Sequence, residues 1–400
     1  MTWYMKFTCF LHRGASKLLS SVYPLSHHSV IYIHVPFCKS RCIYCDFYST
    51  TQTLSLREQY VHALCQELHA RRSYLPSAPI QSIYFGGGTP SQLTLPEIER
   101  ILQAIHTDFE VSAEAEITFE ANPDDIEAGF VRQLRALGFN RMSLGVQSFD
   151  DGLLQMLNRR HTAAKACEAV RTIVGEGIDN VSIDLIYGLP GQTLQHFQSD
   201  LDQAFRLPVK HLSSYALSVE EGTALYRKLE KGELTLPDED LFLAEYKALM
   251  QAADAHGFRH YEISNFGLPG YESRHNSGYW LGTPYLGCGP GAHSFDGTNR
   301  RYNTANLAQY VKSAGQPSHE DEILTPEEHF NEWVMISLRT SRGLEMDSIE
   351  KRFGKSVLEQ LIQTALPHIE HHLLEEKDGF LRLTREGIFV SDDVMSDFML

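Results

Sequence analysis

From residue 30 to residue 217 the chain repeats one unit six times: a short run rich in β-branched and aromatic residues, a polar loop, then a stretch with helical periodicity. The expected strands are 30–36, 82–85, 115–120, 141–149, 181–187 and 211–217, with helices near 56–70, 95–106, 125–137, 163–175 and 194–205. Consecutive β–α units return the chain in the same direction each time, so the strands must build a parallel sheet. Such a sheet lies open or curls into a barrel, and local pattern does not separate the two. In either form the chemistry belongs at the carboxyl ends of the strands. Polar residues collect there: Cys38 after the first strand, Gly86-Gly87-Gly88 after the second, Glu120 and Asn122 at the third, Gln147 at the fourth, Asp184 and Tyr187 late in the fifth, Tyr215 in the sixth.

The loop after the first strand reads CKSRCIYCDF, placing Cys38, Cys42 and Cys45 at spacing C-x3-C-x2-C. Clustered thiolates select zinc, copper(I) or iron–sulfur centres. A structural zinc site takes four closed ligands, and an ordinary ferredoxin cluster takes four cysteines. With three, a [4Fe–4S] cluster keeps one iron without a protein thiolate, where a cofactor or substrate can bind. The other four cysteines, Cys9, Cys65, Cys167 and Cys288, are scattered, which fits a reducing compartment rather than a disulfide framework. A formal net charge of −16 argues against nonspecific nucleic-acid binding, which needs clustered Lys and Arg. No run approaches the roughly 20 apolar residues that span a bilayer, so the expectation is a cytoplasmic protein whose membrane contact is at most peripheral.

The segment IYIHVPFCKSRCIYCDF resembles the signature of the radical SAM (S-adenosylmethionine) superfamily, and its HVPFC and YCDF flanks narrow the resemblance to the branch of oxygen-independent coproporphyrinogen oxidase and HemW-type haem chaperones. The resemblance implies an α/β fold, a partial (β/α)6 barrel, with a [4Fe–4S] cluster on Cys38, Cys42 and Cys45 and S-adenosylmethionine on the open iron. Gly87, Gly88 and Thr89 lie in GGGTPS, which is similar to the family motif that meets the amino acid end of the cofactor. Glycines there permit close backbone approach and positive φ. Glu120 in ITFE, Gln147 in RMSLGVQSF, Arg159 in LNRRH and Asp184 in SIDLIYGLPGQT match further cofactor contacts of the family. A guanidinium suits a carboxylate because it can bond to it twice, and Arg160 leaves that assignment ambiguous by one residue. Tyr32 matches a family tyrosine at the cofactor, and Tyr44 can pack against cluster or adenine.

Residues 236–320 are expected to close the barrel. They contain His275-Asn276-Ser277-Gly278-Tyr279-Trp280, similar to an H-N-x-x-Y-W element that in HemW-type proteins is a candidate haem contact, with His275 as a possible axial ligand. A glycine-rich loop is expected at 282–291. Residues 321–400 read as helices near 326–338, 346–353 and 356–365, a hairpin, and a final helix, a winged-helix-like domain. DNA binding is the usual role of that pattern, but the acidic content favours an accessory domain. Residues 1–29 hold no Asp or Glu but carry Lys6, Arg13 and Lys17. That overlaps with transit-peptide composition, although a disordered tail or misassigned start is the expectation.

Within the branch, the oxidase usually carries another cysteine just after the last cluster cysteine, and this chain has Asp46-Phe47. Residues 1–29 also show no match to the oxidase's N-terminal segment. Both departures favour a haem chaperone that takes haem as cargo and passes it to haem-requiring partners. The alternative is an oxidase that converts coproporphyrinogen III to protoporphyrinogen IX.

Overall fold

The computed structural model describes residues 28–51 and 54–400, so the expectations for residues 1–27 lie outside the described residues. Six parallel strands run in sequence order across the middle of one sheet: β1 (Ser29–Val35), β2 (Ile80–Gly87), β3 (Val111–Ala121), β4 (Arg141–Gln147), β5 (Asn180–Tyr187) and β6 (His211–Ala216). Between them run α1 (Arg57–Ala70), α2 (Leu95–Asp108), α3 (Ala128–Ala136), the short α4 (Asp151–Met156), α5 (Ala163–Gly175) and α6 (Leu194–Arg206). Local signals set the helix ends. Thr94 and Glu97 form a capping box at α2, and Gly138, at φ +99°, follows the last turn of α3.

Strict alternation along the strands makes two different faces. Ile31, Ile33, Ile83, Phe85, Phe119, Met142, Leu144, Val181, Ile183 and Leu212 are buried in the main core with the helices. Their neighbours on the inner face are Tyr32, His34, Ser82, Tyr84, Glu116, Thr118, Glu120, Arg141, Ser143, Ser182, Asp184, His211 and Ser213. A parallel sheet covered by apolar layers on both sides would show near-continuous hydrophobic strands instead. This sheet therefore has one greasy face for helices and one polar face for chemistry.

Residues after β6 extend the sheet at both edges. After α7 (Ala224–Glu230) and α8 (Glu239–Ala255), β7 (Arg259–Glu262) and β8 (Asn265–Gly267) add antiparallel beyond β6. After α9 (Arg274–Trp280), β9 (Tyr285–Cys288) pairs parallel with β1, and β10 (His293–Phe295), β11 (Asn299–Asn303) and β12 (His319–Ile323) follow antiparallel. The stretch expected as a glycine-rich loop thus contains a strand. A Cβ at Gly287 would lie 2.0 Å from the His293 carbonyl oxygen, so glycine here lets two strand backbones approach.

Beyond the short α10 (Leu307–Tyr310), the C-terminal residues build α11 (Pro326–Leu338), β13 (Leu344–Glu345), α12 (Met346–Phe353), α13 (Lys355–Glu370), β14 (Leu374–Lys377), β15 (Phe380–Leu383), α14 (Arg385–Ile388) and α15 (Ser391–Ser396). They have their own core around Phe330, Val334, Leu338, Ile349, Leu361, Leu381 and Phe398. Backbone bonds from Ile263 N to Arg339 O, 3.1 Å, and from Ser341 N to Tyr261 O, 3.0 Å, tie this unit to β7. Among the described residues no helix is long and apolar enough to cross a membrane.

Candidate metal and cofactor site

The cysteine loop leaves β1 and is pinched shut at its base, where Cys38 N donates to Thr50 O at 3.0 Å and Thr50 N to Pro36 O at 2.7 Å. Its far side is gripped by three consecutive residues at the end of α4. Leu157 O accepts from Ile43 N at 3.2 Å, Asn158 Nδ2 donates to Arg41 O at 2.8 Å, and Arg159 Nη1 reaches Cys42 Sγ at 3.2 Å. Leu225 N of α7 donates to Ile43 O at 2.8 Å, while Ile43 and Tyr44 pack on Leu153, Leu157, Ile186 and Leu225. Asn158, at φ +60°, is the left-handed residue that turns the chain so Arg159 points inward.

Among the described residues no three His, Cys, Asp or Glu side chains close on one point as ligands of a single ion would. Cys38, Cys42 and Cys45 are nevertheless near enough to raise the cost of ionising one another. Three soft thiols on one loop are a donor set of the kind that takes an iron–sulfur cluster. Burial pushes the Cys45 thiol up to about 11 and the Cys38 thiol upward. Such thiols lose their protons when a cation binds them.

The second loop presses against the first. Gly88 N donates to Val35 O at 2.8 Å. A Cβ on Gly88 would sit 2.8 Å from Phe37 O and 3.1 Å from Cys38 Sγ, and one on Gly87 would sit 2.6 Å from His34 Nδ1. Gly87 also has φ +106°. Thr89 Oγ1 lies 3.4 Å from Cys38 Sγ and accepts from Asn122 Nδ2 at 3.2 Å. Asn122 Oδ1 in turn accepts from Arg159 Nη2 at 2.7 Å, and the Gly145 carbonyl accepts from the same nitrogen. Arg159 Nε is buried with no partner among the described residues, a donor left over for a ligand. Arg160 instead pairs with Asp124 at 2.8 Å.

Glu120 accepts from Tyr84 Oη at 2.5 Å and from Gly87 N at 3.3 Å. Burial pushes it up to about 7, with Asp184 adding to the push. Asp184 is raised by burial to about 6, against hydrogen bonds from Ser213 and Ser143. Gln147 is buried at φ +72°, where the β4–β5 register slips between Gly145 and Gln147. A non-glycine residue held in that region marks strain kept at a site. Tyr32 Oη and His34 Nδ1 are 3.2 Å apart, and His34 Nε2 meets Tyr48 O at 2.9 Å. Burial lowers His34 to about 4, so it is neutral. The sequence expectations omitted His34 and Tyr84 from this rim; their signal was the polar phase of the strand alternation.

His275 lies elsewhere. It is 3% exposed on α9, deep on the inner face. Its Nδ1 meets Ser82 Oγ at 2.7 Å, its Nε2 meets Tyr279 Oη at 3.0 Å, and its ring lies against Tyr84 with centroids 4.9 Å apart. Glu116 accepts from the backbone N–H groups of Arg274 and His275 at 3.2 and 3.1 Å, seating the helix start on β3. Both ring nitrogens of His275 are engaged within the protein and the imidazole is walled in. Its role here is to join α9 to β2.

Residues 32–204 match the Radical SAM superfamily, and residues 324–390 match the HemN C-terminal domain. A Bacillus subtilis protein described as heme chaperone HemW is 33% identical over 373 residues, which cover 92% of this chain and 98% of that protein. A Mycobacterium tuberculosis protein of the same description is 35% identical over 371 residues, 91% of this chain and 93% of its own. A Danio rerio protein described as radical S-adenosyl methionine domain-containing protein 1, mitochondrial, is 29% identical over 98% of this chain and 93% of that one. Among solved structures, Escherichia coli coproporphyrinogen III oxidase (HemN) superposes with a TM-score of 0.81 over 93% of this chain and 90% of its own, at 24% identity, a likeness of fold.

Proposed function

The chain belongs to the HemW family of the radical SAM superfamily, and from that premise we propose that it is a haem chaperone, binding haem and passing it to haem-requiring proteins. The observation that carries this is the 33–35% identity, over nearly the full length of each relative, to proteins described as heme chaperones.

In this proposal Cys38, Cys42 and Cys45 hold a [4Fe–4S] cluster. Bound there, such a cluster supplies one open iron position and one electron. S-adenosylmethionine lies along the rim. Backbone groups of Gly87 and Gly88, with Thr89, line its amino acid end, Glu120 takes the ammonium, and the free Arg159 Nε takes the carboxylate. Asp184 accepts from the ribose hydroxyls, Gln147 is held toward the cofactor by its strained backbone, and Tyr32 and Tyr44 flank it. The geometry of the rim supports these roles through the orphaned Arg159 donor and the glycines that no side chain could replace.

A test separates chaperone from oxidase. Cluster-loaded protein is given coproporphyrinogen III, S-adenosylmethionine and dithionite, and the same preparation is titrated with haem. Saturable haem binding without protoporphyrinogen IX is expected. Turnover to protoporphyrinogen IX would make the protein an oxidase.

A further inference from the structure

The rim leaves one cation of the inner face unused. Arg141 opens β4, is 2% exposed, and its buried Nε has no hydrogen-bond partner among the described residues. Its closest acid is Glu116, 4.0 Å from Nε and beyond hydrogen-bond reach. Glu116 is already occupied by the N–H groups of Arg274 and His275. In the neighbouring strand Thr118 is fully buried and its Oγ1 has no partner among the described residues. Thr118 and Arg141 are register partners, so the two unsatisfied groups stand side by side on one face.

Neither neighbouring imidazole can serve them. His275 lies between Ser82 and Tyr279, and His211 between Ser182, 2.7 Å, and Tyr261, 2.8 Å. Both imidazoles are held neutral, first by burial and then by Arg141 itself. A buried guanidinium whose Nε is left without a hydrogen bond is costly and calls for an occupant. A forked donor beside a hydroxyl matches a carboxylate, which can take two N–H bonds on one edge and an O–H bond on another.

We propose that Arg141 and Thr118 form a receptor for a carboxylate on the inner face of the sheet. The carboxylate belongs to a free small acid or to a propionate arm of haem; the second source rests on the haem-chaperone reading and the first does not.

Propionate is the probe, used on the full-length, cluster-loaded protein at ionic strength matched with chloride. Propionate is expected to raise the melting temperature of the wild type saturably. Arg141→Met, which keeps length and drops charge, should lose that response. Its melting without propionate, where the ion pair to Glu116 is also lost, is the baseline from which the response is read. Thr118→Val should weaken the response about tenfold, the value of a hydrogen bond to a charged group. Haem and haem dimethyl ester identify the source. A preference for haem over the ester that disappears in Arg141→Met assigns the site to the propionate arm, and equal binding assigns it to a free acid. Failure of haem to bind at all would remove the chaperone reading while leaving the propionate response to stand. The proposal is overturned if propionate shifts wild type and Arg141→Met alike, or shifts neither, the site then holding interior water only.

Discussion

Arg159 Nη1 lies 3.2 Å from Cys42 Sγ, while Arg160, one residue on, turns away to Asp124 at 2.8 Å. Adjacent arginines thus take different partners. Arg159→Gln removes the guanidinium that touches Cys42 and the buried Nε beside it. We expect S-adenosylmethionine affinity to fall about 10- to 100-fold, the range for hydrogen bonds to charged groups. Arg160→Gln should change it less than about threefold, as partly exposed ion pairs contribute little. Calorimetric titration of the two variants measures this, and equal losses would contradict the assignment.

Replacing any one of Cys38, Cys42 and Cys45 by Ala should abolish cluster assembly with the fold intact. The main core packs strands against helices and draws on Cys38 only at its margin. Iron content, cluster absorbance and circular dichroism check both halves of that statement. A Cys42→Ala protein with a full cluster would refute it.

Gly88→Ala should displace the first cysteine. The new methyl would stand 2.8 Å from Phe37 O, 2.9 Å from Val35 O and 3.1 Å from Cys38 Sγ, and none of these is the far end of a flexible side chain. Reconstituted protein should hold less iron than wild type and melt at lower temperature. Full iron loading would show that the loop yields more easily than its packing implies.

Glu120 gives the site a pH dependence. Burial holds its carboxyl near 7, so it is mostly protonated at pH 6 and ionised at pH 8. If the ionised form receives the ammonium of S-adenosylmethionine, affinity should rise about tenfold across that interval. The unliganded fold responds in the opposite sense. A folded-state value above the unfolded one favours folding below about pH 4.5, and this contribution is lost as pH rises through about 7. Glu120→Gln should flatten both trends, read by titration and by melting at each pH.

Asp125 gathers three loops. It accepts from Lys39 of the cysteine loop at 2.5 Å, from Ser91 after the triple glycine at 2.7 Å, and from Arg160 at 3.4 Å. Asp125→Ala should speed cluster loss in air more than it lowers the melting temperature, because the tie holds loops rather than core. A variant that keeps its cluster as long as wild type would mean the loops are fixed without it.

Much of this arrangement was legible in the chain. The six β–α units, the three cysteines and GGGTPS all depend on local spacing, and local spacing survives folding. The helices at 326–338 and 346–353 fell where the pattern put them, each bounded by a strong signal such as Thr325 with Pro326. The strand at Tyr285–Cys288 was hidden because Gly287 and its neighbours look like a turn, and only the approach of His293 explains the glycine. The short α4 escaped because six residues show no period, yet its end grips the cysteine loop. The partners of His275 were out of reach for a related reason. Its chemistry suits iron, but which partners fill its two nitrogens is a matter of tertiary contact between α9, β2 and Tyr279 that no spacing records.

The most direct test of the chaperone account is haem transfer. Haem-loaded protein is mixed with the apo form of a haem enzyme, with and without an excess of a protein that captures free haem, and recovery of enzyme activity is followed. Direct hand-over predicts recovery at the same rate in both mixtures. If the scavenger abolishes recovery, haem passes through solution and the protein is not delivering it.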